Sequence, residues 1–294
     1  MPGPDRRRLL SVQNVADGGG SETALIGTIR ELTSRGWDCH VAVGHPAELA
    51  DDYRAAGATL HVVPMRRLTT SGRAWRWLGF AGAWPVSVLR LAVLARRLRP
   101  EVIHSNILHC WYGWAAALLV GRPHVWTARE IVVQSRAALR VERVLARHFA
   151  VQVAAVSQAV AAQLDPGNVE VVVDAADPAR FSPGRAGTFR AGAGIPDDIP
   201  LVSSAARVDI WKGFDGLLDA VPRIHAARPD VVVAIAGAPV RGKESYARAL
   251  AARAQDLPGV RWLGPRRDVG DLLADSDVFV QVSTEPEPFG MVLV

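Results

Sequence analysis

Short runs of Val, Ile and Leu alternate with longer stretches of helical, amphipathic pattern along almost the whole chain. Strand-length apolar runs separated by helix-length stretches are typical of βαβ units with parallel strands. In the first half of the chain the predicted strands lie at 9–13, 39–43, 59–63, 101–104, 124–127, 151–156 and 169–173. The pattern therefore predicts a doubly wound, Rossmann-like parallel sheet.

A second series of the same kind follows a stretch of different composition. Residues 182–200 are rich in Gly, Pro, Asp and Ala without apolar periodicity, which is typical of a linker. Beyond this stretch, strands are predicted at 201–206, 231–236, 260–263 and 278–282, and helices at 213–227, 243–255 and 269–274. The sequence therefore predicts two α/β domains, an N-terminal one over 1–183 and a C-terminal one over 184–294.

The composition is ordinary for a globular protein: of 294 residues, 49% are hydrophobic and 21% are charged. The formal net charge of +5 suits an anionic substrate or anionic lipids and does not choose between them. Two isolated cysteines and no evident secretory signal favour a cytoplasmic location. The longest apolar run, at 77–89, is interrupted by Pro85 and falls short of the roughly 20 residues of a bilayer span, so no transmembrane helix is predicted.

The first polar cluster of the second series consists of Arg207 and Lys212-Gly213, and it follows the strand-like run at 201–206. In a parallel sheet, the residues just past the carboxyl ends of the strands line the ligand crevice. An Arg and a Lys at this place would bind an anion such as a diphosphate. A helix predicted directly after Gly213 makes this arrangement more specific than two solvated surface charges.

The second polar cluster, Ser283 to Gly290, follows the strand predicted at 278–282. Glu287 lies between two prolines that stiffen the backbone, and the following Phe289-Gly290 permits close approach of a ligand. A carboxylate here would bind sugar hydroxyls, and Ser283 could donate to a phosphate. Two clusters of this kind, one cationic and one acidic, indicate a nucleotide-sugar site; an acidic surface loop is the alternative for the second.

Arg207-x4-Lys212-Gly213 together with Glu287-Pro-Phe-Gly resembles the donor site of retaining glycosyltransferase family 4. The resemblance implies a GT-B fold, in which two Rossmann-like domains face a central crevice. It also implies transfer of a hexose from a nucleoside diphosphate sugar to a hydroxyl of a glycan, lipid or small molecule, with no metal cofactor. Arg207 and Lys212 would hold the diphosphate and Glu287 the sugar.

The family motif contains a second glutamate, which would fall directly after Val294. We therefore expect a C-terminal domain that is incomplete in this chain. The alternative to the enzyme is a truncated, catalytically inactive nucleotide-binding protein with the same fold.

Gly18-Gly19-Gly20 lies between a predicted strand and a predicted helix. Glycines there allow close approach of the backbone, and helix amides favour negative charge. The resemblance places this loop near the acceptor and the donor phosphate. The alternative is a plain flexible turn, with Ser21 capping the helix and Glu22 favouring its positive end.

Two further strand ends of the first series carry candidate residues. Arg129 and Glu130 follow the strand at 124–127, and Arg129 stands where the family commonly has a His. Arg129 could contact an anionic acceptor or a phosphate and Glu130 could orient it, or the two could form a structural salt bridge. His104 and Asn106 end another strand, where an isolated His is more often structural than catalytic.

Residues 66–99 hold eight arginines and no acidic residue, with aromatic residues between them. This composition suits peripheral contact with anionic lipid, and the alternative is a surface loop followed by a core helix with solvated arginines. Nucleic-acid binding is not expected because no nucleic-acid module accompanies the charge. No metal-ligand spacing is present, so a metal site is not expected either.

Overall fold

The computed structural model describes residues 7–67, 74–133, 135–164, 166–178, 181–182, 184 and 186–294, without the side chains of 74–78 and 166. The chain divides into two compact units, Met1–Ala175 and Ala176–Val294. Each unit is a parallel sheet covered by helices.

A sheet of seven parallel strands forms the centre of the first unit. The strands are β1 (Arg8–Gln13), β2 (Asp38–Val43), β3 (Ala58–Val62), β4 (Val102–Ser105), β5 (His124–Ala128), β6 (Gln152–Ala155) and β7 (Val169–Val171). Their order in the sheet is β3-β2-β1-β4-β5-β6-β7. The order reverses between β1 and β4, and ligands of open α/β sheets bind at such a switch point.

The described part of the first unit contains the helices α1 (Gly20–Ser34), α2 (Ala50–Ala55), α3 (Ala74–Leu98), α4 (Gly113–Val120), α5 (Arg136–Phe149) and α6 (Gln158–Ala162). The two faces of the sheet have separate cores because successive strand residues point to opposite sides. Leu10 and Val12 of β1 pack with apolar residues of α3 and α4. Leu9 packs with α1 and α2 on the other face.

The second unit has a sheet of four parallel strands in the order β10-β9-β8-β11. Its elements are α7 (Phe189–Ala193), β8 (Leu201–Ala205), α8 (Phe214–Ala227), β9 (Val232–Ala236), α9 (Glu244–Gln255), β10 (Val260–Gly264), α10 (Val269–Asp275) and β11 (Val278–Phe279). Val233 and Ile235 of β9 pack against α8 and α9. Ala234 and Ala236 face α7 and α10, so this sheet is also covered on both faces.

The predicted class, two parallel α/β sheets in series, is confirmed, and two details of the prediction are wrong. The linker predicted at 182–200 contains α7, because Phe189 and Ile195 are buried beside Leu201 and tie this segment to the core. The strand predicted at 278–282 pairs with β8 only over Val278–Phe279. One further ladder bond follows, from the Val280 amide to the Ser203 carbonyl at 2.8 Å. Among the described residues, no helix is long and apolar enough to cross a bilayer.

Candidate functional site

The turn after β8 carries the predicted cations of the second unit. After Arg207, which is exposed, the chain makes one short helical turn at Ile210–Lys212. Gly213 then forms the N-cap of α8 with φ at +73°, a conformation that residues with a Cβ adopt poorly. A Cβ at Gly213 would overlap the carbonyl oxygen of Val282, so the glycine lets this turn lie directly against the chain that follows β11.

The loop after β11 is fastened to that turn and carries the predicted carboxylate. The Thr284 amide donates to the Trp211 carbonyl at 2.8 Å. Lys212 Nζ forms an ion pair with Glu287 Oε1, and Ser283 Oγ donates to the same oxygen at 2.9 Å. The structure therefore brings together Lys212, Glu287 and Ser283, which the sequence places in two separate clusters.

The ammonium group of Lys212 lies in a partly desolvated site, since its side chain is 13% exposed and that of Glu287 17%. Burial lowers the pKa of Lys212, pairing with Glu287 partly offsets this, and the charge of Arg207 lowers it further. Lys212 Nζ also lies 3.9 Å from the ring centroid of Trp211, at cation–π distance. Lys212, paired with Glu287, and the nearby charge of Arg207 can accept an anionic ligand at this place.

The end of the same loop lies beside a polar atom that the sequence analysis missed. Gly290 has φ at +80°, and a Cβ there would lie 3.5 Å from Gln281 Oε1. That oxygen is buried and has no hydrogen-bond partner among the described residues. Phe289, the residue before Gly290, is half-buried. A glutamine within the otherwise apolar run at 278–282 was the signal available in the sequence.

The glycine loop of the first unit binds a carboxylate of its own chain. Gly18 has φ at +69°, Gly19 precedes the helix and Gly20 begins α1. Glu22 Oε2 accepts from the amides of Gly18 at 2.5 Å and Gly19 at 3.2 Å. Two amides that were predicted to face a ligand are thus occupied. The alternative in which Ser21 caps the helix is wrong, because Ser21 lies inside the first turn of α1.

Glu22 is held in an environment that disfavours its charge. The residue is 1% exposed, and its second oxygen, Oε1, has no partner among the described residues. Burial raises the pKa of Glu22 to about 7, although the two glycine amides lower it; Asp17 and Glu48 raise it further. The carboxyl group therefore changes charge near neutral pH.

His104 and Asn106 lie within a hydrogen-bond network at the end of β4. His104 Nδ1 lies 3.0 Å from Ser11 Oγ, and its Nε2 lies 2.8 Å from Thr127 Oγ1. Burial, with the charge of Arg129, lowers the pKa of His104 to about 3, so the imidazole is neutral. Asn106 is fully buried and its Nδ2 donates to the Ser21 carbonyl at 2.8 Å, which ties β4 to the glycine loop.

Arg129 pairs with Asp174 instead of Glu130, so the predicted alternative of an Arg129–Glu130 salt bridge is wrong. Both side chains of the pair are largely buried, and Arg129 Nε also donates to Asn106 Oδ1 at 3.2 Å. The Glu130 carboxylate accepts from the backbone amides of Leu108 at 2.9 Å and of Arg129 at 3.0 Å. Arg129 and Glu130 are therefore both fixed, but by different partners.

A histidine–glutamate pair that the sequence analysis missed lies on the loop after β4. His109 Nδ1 donates to Glu142 Oε1 at 2.6 Å, and Trp111 Nε1 donates to the same oxygen at 3.2 Å. Glu142 is fully buried although it belongs to the amphipathic helix α5. Burial alone would lower the pKa of His109, but Glu142 and Glu130 outweigh burial and raise it.

The segment predicted to contact lipid lies partly outside the described residues. Residues 68–73 and the side chains of 74–78, which include Trp75 and Trp77, belong to that part. Of the other aromatic residues, Phe80 and Trp84 pack against the core of the first unit. Within the part of the chain that the structure describes, no group of three or more His, Cys, Asp or Glu side chains could hold a metal ion.

Two parallel α/β units in one chain, with a cation–carboxylate site after two adjacent strands, are the features of the GT-B class of glycosyltransferases. Residues 18–180 match the family described as Glycosyltransferase Family 4. Residues 186–294 match the family described as Glycosyl transferases group 1. The chain belongs to glycosyltransferase family 4.

Individual relatives are similar over most or part of the chain. A D-inositol 3-phosphate glycosyltransferase of Stackebrandtia nassauensis is 26% identical, over 99% of this chain and 73% of its own length. The enzyme of the same name from Mycolicibacterium gilvum is 30% identical over 50% of this chain and 39% of its own length. Among solved structures, Anabaena Alr3699/HepE in complex with UDP and glucose has a TM-score of 0.80 at 23% identity, covering 98% of this chain and 77% of that one.

Proposed function

We propose that this protein is a retaining glycosyltransferase that moves a hexose from a nucleoside diphosphate sugar to an acceptor hydroxyl. The observation that carries the proposal is the pair of Lys212 and Glu287, joined by Ser283 and adjacent to Arg207. Membership of glycosyltransferase family 4 supports the same reaction. The bound UDP and glucose of the HepE structure support a nucleotide-sugar donor.

Arg207 and Lys212 have the charge that the leaving group requires. When the glycosidic bond to the donor breaks, a nucleoside diphosphate leaves with increasing negative charge. Fixed cations stabilise such charge because they need no reorganisation during the reaction, and loss of one such group costs about 100-fold or more in rate. Lys212 is preorganised by Trp211 on one side and Glu287 on the other.

Glu287 would bind hydroxyls of the donor hexose. In the structure its Oε1 is shared by Lys212 and Ser283. A diphosphate beside Lys212 would replace the carboxylate as the counter-ion of the ammonium group. Glu287 would then be free to accept hydrogen bonds from the sugar. The family resemblance implies that the donor phosphate, rather than an enzyme carboxylate, assists the acceptor hydroxyl, which is consistent with retention of configuration.

Residues of the first unit would bind the acceptor. Arg129 supplies positive charge beside the acceptor, with Glu130 fixed next to it by two backbone amides. We assign positioning roles to His104 and Asn106, because both side chains are engaged with neighbouring strands or with the glycine loop. The glycine loop at 18–20 would approach the ligand through its backbone. No metal is part of this proposal, so we expect activity to persist in EDTA.

The proposal is tested by the release of nucleoside diphosphate from a panel of nucleotide sugars, with UDP-glucose in the first set. D-Inositol 3-phosphate belongs in the acceptor panel because the relatives are named D-inositol 3-phosphate glycosyltransferases. We expect Lys212→Gln to lower turnover about 100-fold and Glu287→Gln to lower it clearly. Donor binding by calorimetry and circular dichroism of each variant separate loss of binding from loss of fold.

The chain offers two matched controls. Lys243→Gln removes the other lysine of the second unit, which has no ion-pair partner among the described residues. Glu285→Gln makes the same change as Glu287→Gln at an exposed position two residues earlier. Neither control should change turnover by more than about twofold, as is usual for surface substitutions. A folded protein that binds no donor from the panel, or equal losses in controls and site variants, would overturn the proposal.

A further inference from the structure

A cavity of about 470 Å³ opens in the first unit between the ends of β2 and β3 and the side of α3. Its walls include Met65 and Val86, its charged side chains are Arg66 and Arg90, and His45 also lines it. The volume falls in the range of roughly 300–1,000 Å³ that small-molecule sites occupy. The cavity therefore has room for a small molecule that carries a charged group.

The two arginines of this cavity have no acidic partner among the described residues. Within the part of the chain that the structure describes, neither Arg66 nor Arg90 forms an ion pair. The sequence from 63 to 99, which supplies two of the three walls, contains no Asp or Glu at all. On the third wall, His45 Nε2 lies 3.2 Å from Asp17 Oδ1. The positive charge of the cavity is therefore uncompensated.

The backbone around the arginines is fixed, although their guanidinium groups form no ion pair among the described residues. Ser87 Oγ donates to the Pro64 carbonyl at 2.6 Å, and Tyr112 Oη donates to the Arg66 carbonyl at 2.9 Å. Gly44 lies so close to its neighbours that a Cβ would stand 2.7 Å from the Asn14 carbonyl oxygen. Because the backbone is already fixed, anion binding needs to order only the two arginine side chains.

The cavity lies on the functional edge of the sheet. Gly44 directly follows β2, and Pro64 is the second residue after β3. Both therefore lie at the carboxyl ends of their strands. Ligands of parallel α/β sheets bind at this edge. The glycine loop at 18–20, which follows β1, lies at the same edge of the same sheet.

We infer that this cavity binds a phosphate group, or a group of comparable charge, on the acceptor, through Arg66 and Arg90. The inference rests on the proposed function and narrows its acceptor to an anionic molecule. The phosphate could belong to a soluble phosphorylated polyol or to the headgroup of a lipid. Val86, Leu89 and Val93, which are 49%, 58% and 45% exposed on α3, would lie against lipid in the second case.

The test measures binding without donor, so that it does not depend on turnover. Calorimetry with D-inositol 3-phosphate and with uncharged inositol covers the soluble source. Sedimentation with vesicles of phosphatidic acid and phosphatidylcholine, against phosphatidylcholine alone, covers the lipid source. We expect the phosphorylated probe of one source to bind. Arg66→Gln and Arg90→Gln should each weaken it about tenfold, as expected for one charge-assisted contact.

Arg97→Gln is the matched control. Arg97 lies on the same helix, is exposed and has no ion pair among the described residues. It lies seven residues after Arg90, which is about 10 Å along the helix and towards the opposite edge of the sheet. Arg97→Gln should leave binding unchanged within about twofold, the usual range for surface substitutions.

Each outcome decides the inference separately from the proposed function. Equal losses in Arg97→Gln and Arg90→Gln would indicate general surface attraction and overturn it. Failure of the wild-type protein to bind either phosphorylated probe, or equal binding of inositol and its phosphate, would also overturn it. If phosphate binding depends on Arg66 and Arg90 but no donor turns over, the inference about the cavity is supported and the proposed glycosyltransferase function is rejected. If the enzyme turns over uncharged acceptors and neither substitution changes the rate, the proposed function is supported and the inference about the cavity is rejected.

Discussion

Replacement of Glu22 by Gln should make the first unit more stable at pH 8 and leave its stability nearly unchanged at pH 5. The carboxylate accepts two amide hydrogen bonds from the glycine loop, but it is 1% exposed and its other oxygen has no partner among the described residues. Gln keeps an oxygen acceptor for the amides and carries no charge. The substitution thus separates the hydrogen bonds of this side chain from the cost of burying its charge.

The magnitude follows from the pKa of Glu22. Burial, which outweighs the two glycine amides, raises it from 4.5 to about 7. Each pKa unit corresponds to about 1.4 kcal/mol, so the shift amounts to about 3 kcal/mol. Because the folded state holds the proton more tightly, its advantage is complete below pH 4.5 and is lost as the pH rises through 7. In Glu22→Gln this pH dependence should disappear.

Amide hydrogen exchange of β1, followed by mass spectrometry at pH 5, 6, 7 and 8, measures the effect. Protection of this buried strand reports opening of the first unit, whereas global denaturation would mix the two units. Comparison of variant and wild type at each pH cancels the intrinsic pH dependence of exchange and the titration of other groups. Glu31→Gln is the control, since Glu31 lies on the same helix and its side chain is 61% exposed.

Three results would show whether the cost of burying the Glu22 charge exceeds the stabilisation of that charge by the amides and the helix N-terminus. The expected one is a difference between variant and wild type that grows by about 3 kcal/mol in favour of Gln from pH 5 to pH 8. A difference that is constant over this range would mean that Glu22 does not titrate there. A variant that loses stability more at pH 8 than at pH 5 would mean that the helix N-terminus and the amides outweigh burial. Either of the last two refutes the reasoning.

Further predictions concern other residues of both units. Gly213→Ala should cost at least about 2 kcal/mol in unfolding of the second unit, because it combines a positive φ with overlap on a backbone carbonyl; Gly216→Ala, with open space around it, should cost nothing. Asp174→Asn should destabilise the first unit by about 2 kcal/mol or more in thermal unfolding, since it leaves a buried guanidinium unpaired. Glu142→Gln should lower the pKa of His109 in an NMR titration; an unchanged pKa would contradict the assigned pairing.

The sequence was sufficient for the strands because their signal is local. A parallel strand covered on both faces is largely apolar along its length, and each run of this kind except the one at 278–282 was found within a residue or two. The positions of Arg207, Lys212 and Glu287 followed from the same signal, since strand ends of a parallel sheet lie at one edge. Contact between Lys212 and Glu287 required only that β8 and β11 be neighbours, as they are.

Pairing between distant residues could not be predicted in this way. Arg129 has an acidic neighbour in sequence, but Glu130 turns to two backbone amides and Asp174 takes the guanidinium group. Glu142 occupies the buried side of an otherwise amphipathic helix, where a polar residue has no local signature. Its role depends on His109, which belongs to another element. Tertiary packing determines which distant residues pair, and sequence periodicity carries no information about it.

Counter-ions separate the cationic sites into two kinds with different ligand requirements. Lys212 and Arg129 are already paired with carboxylates and are largely buried, so an incoming anion must compete with an existing ion pair. A diphosphate, with more charge than one carboxylate, can succeed where a single negative charge gains little. Arg66 and Arg90 are exposed and form no ion pair among the described residues, so a single phosphate need not displace a carboxylate there. Binding at the free arginines should therefore weaken steeply with added salt, whereas binding at Lys212 should be less sensitive because salt screens buried pairs less.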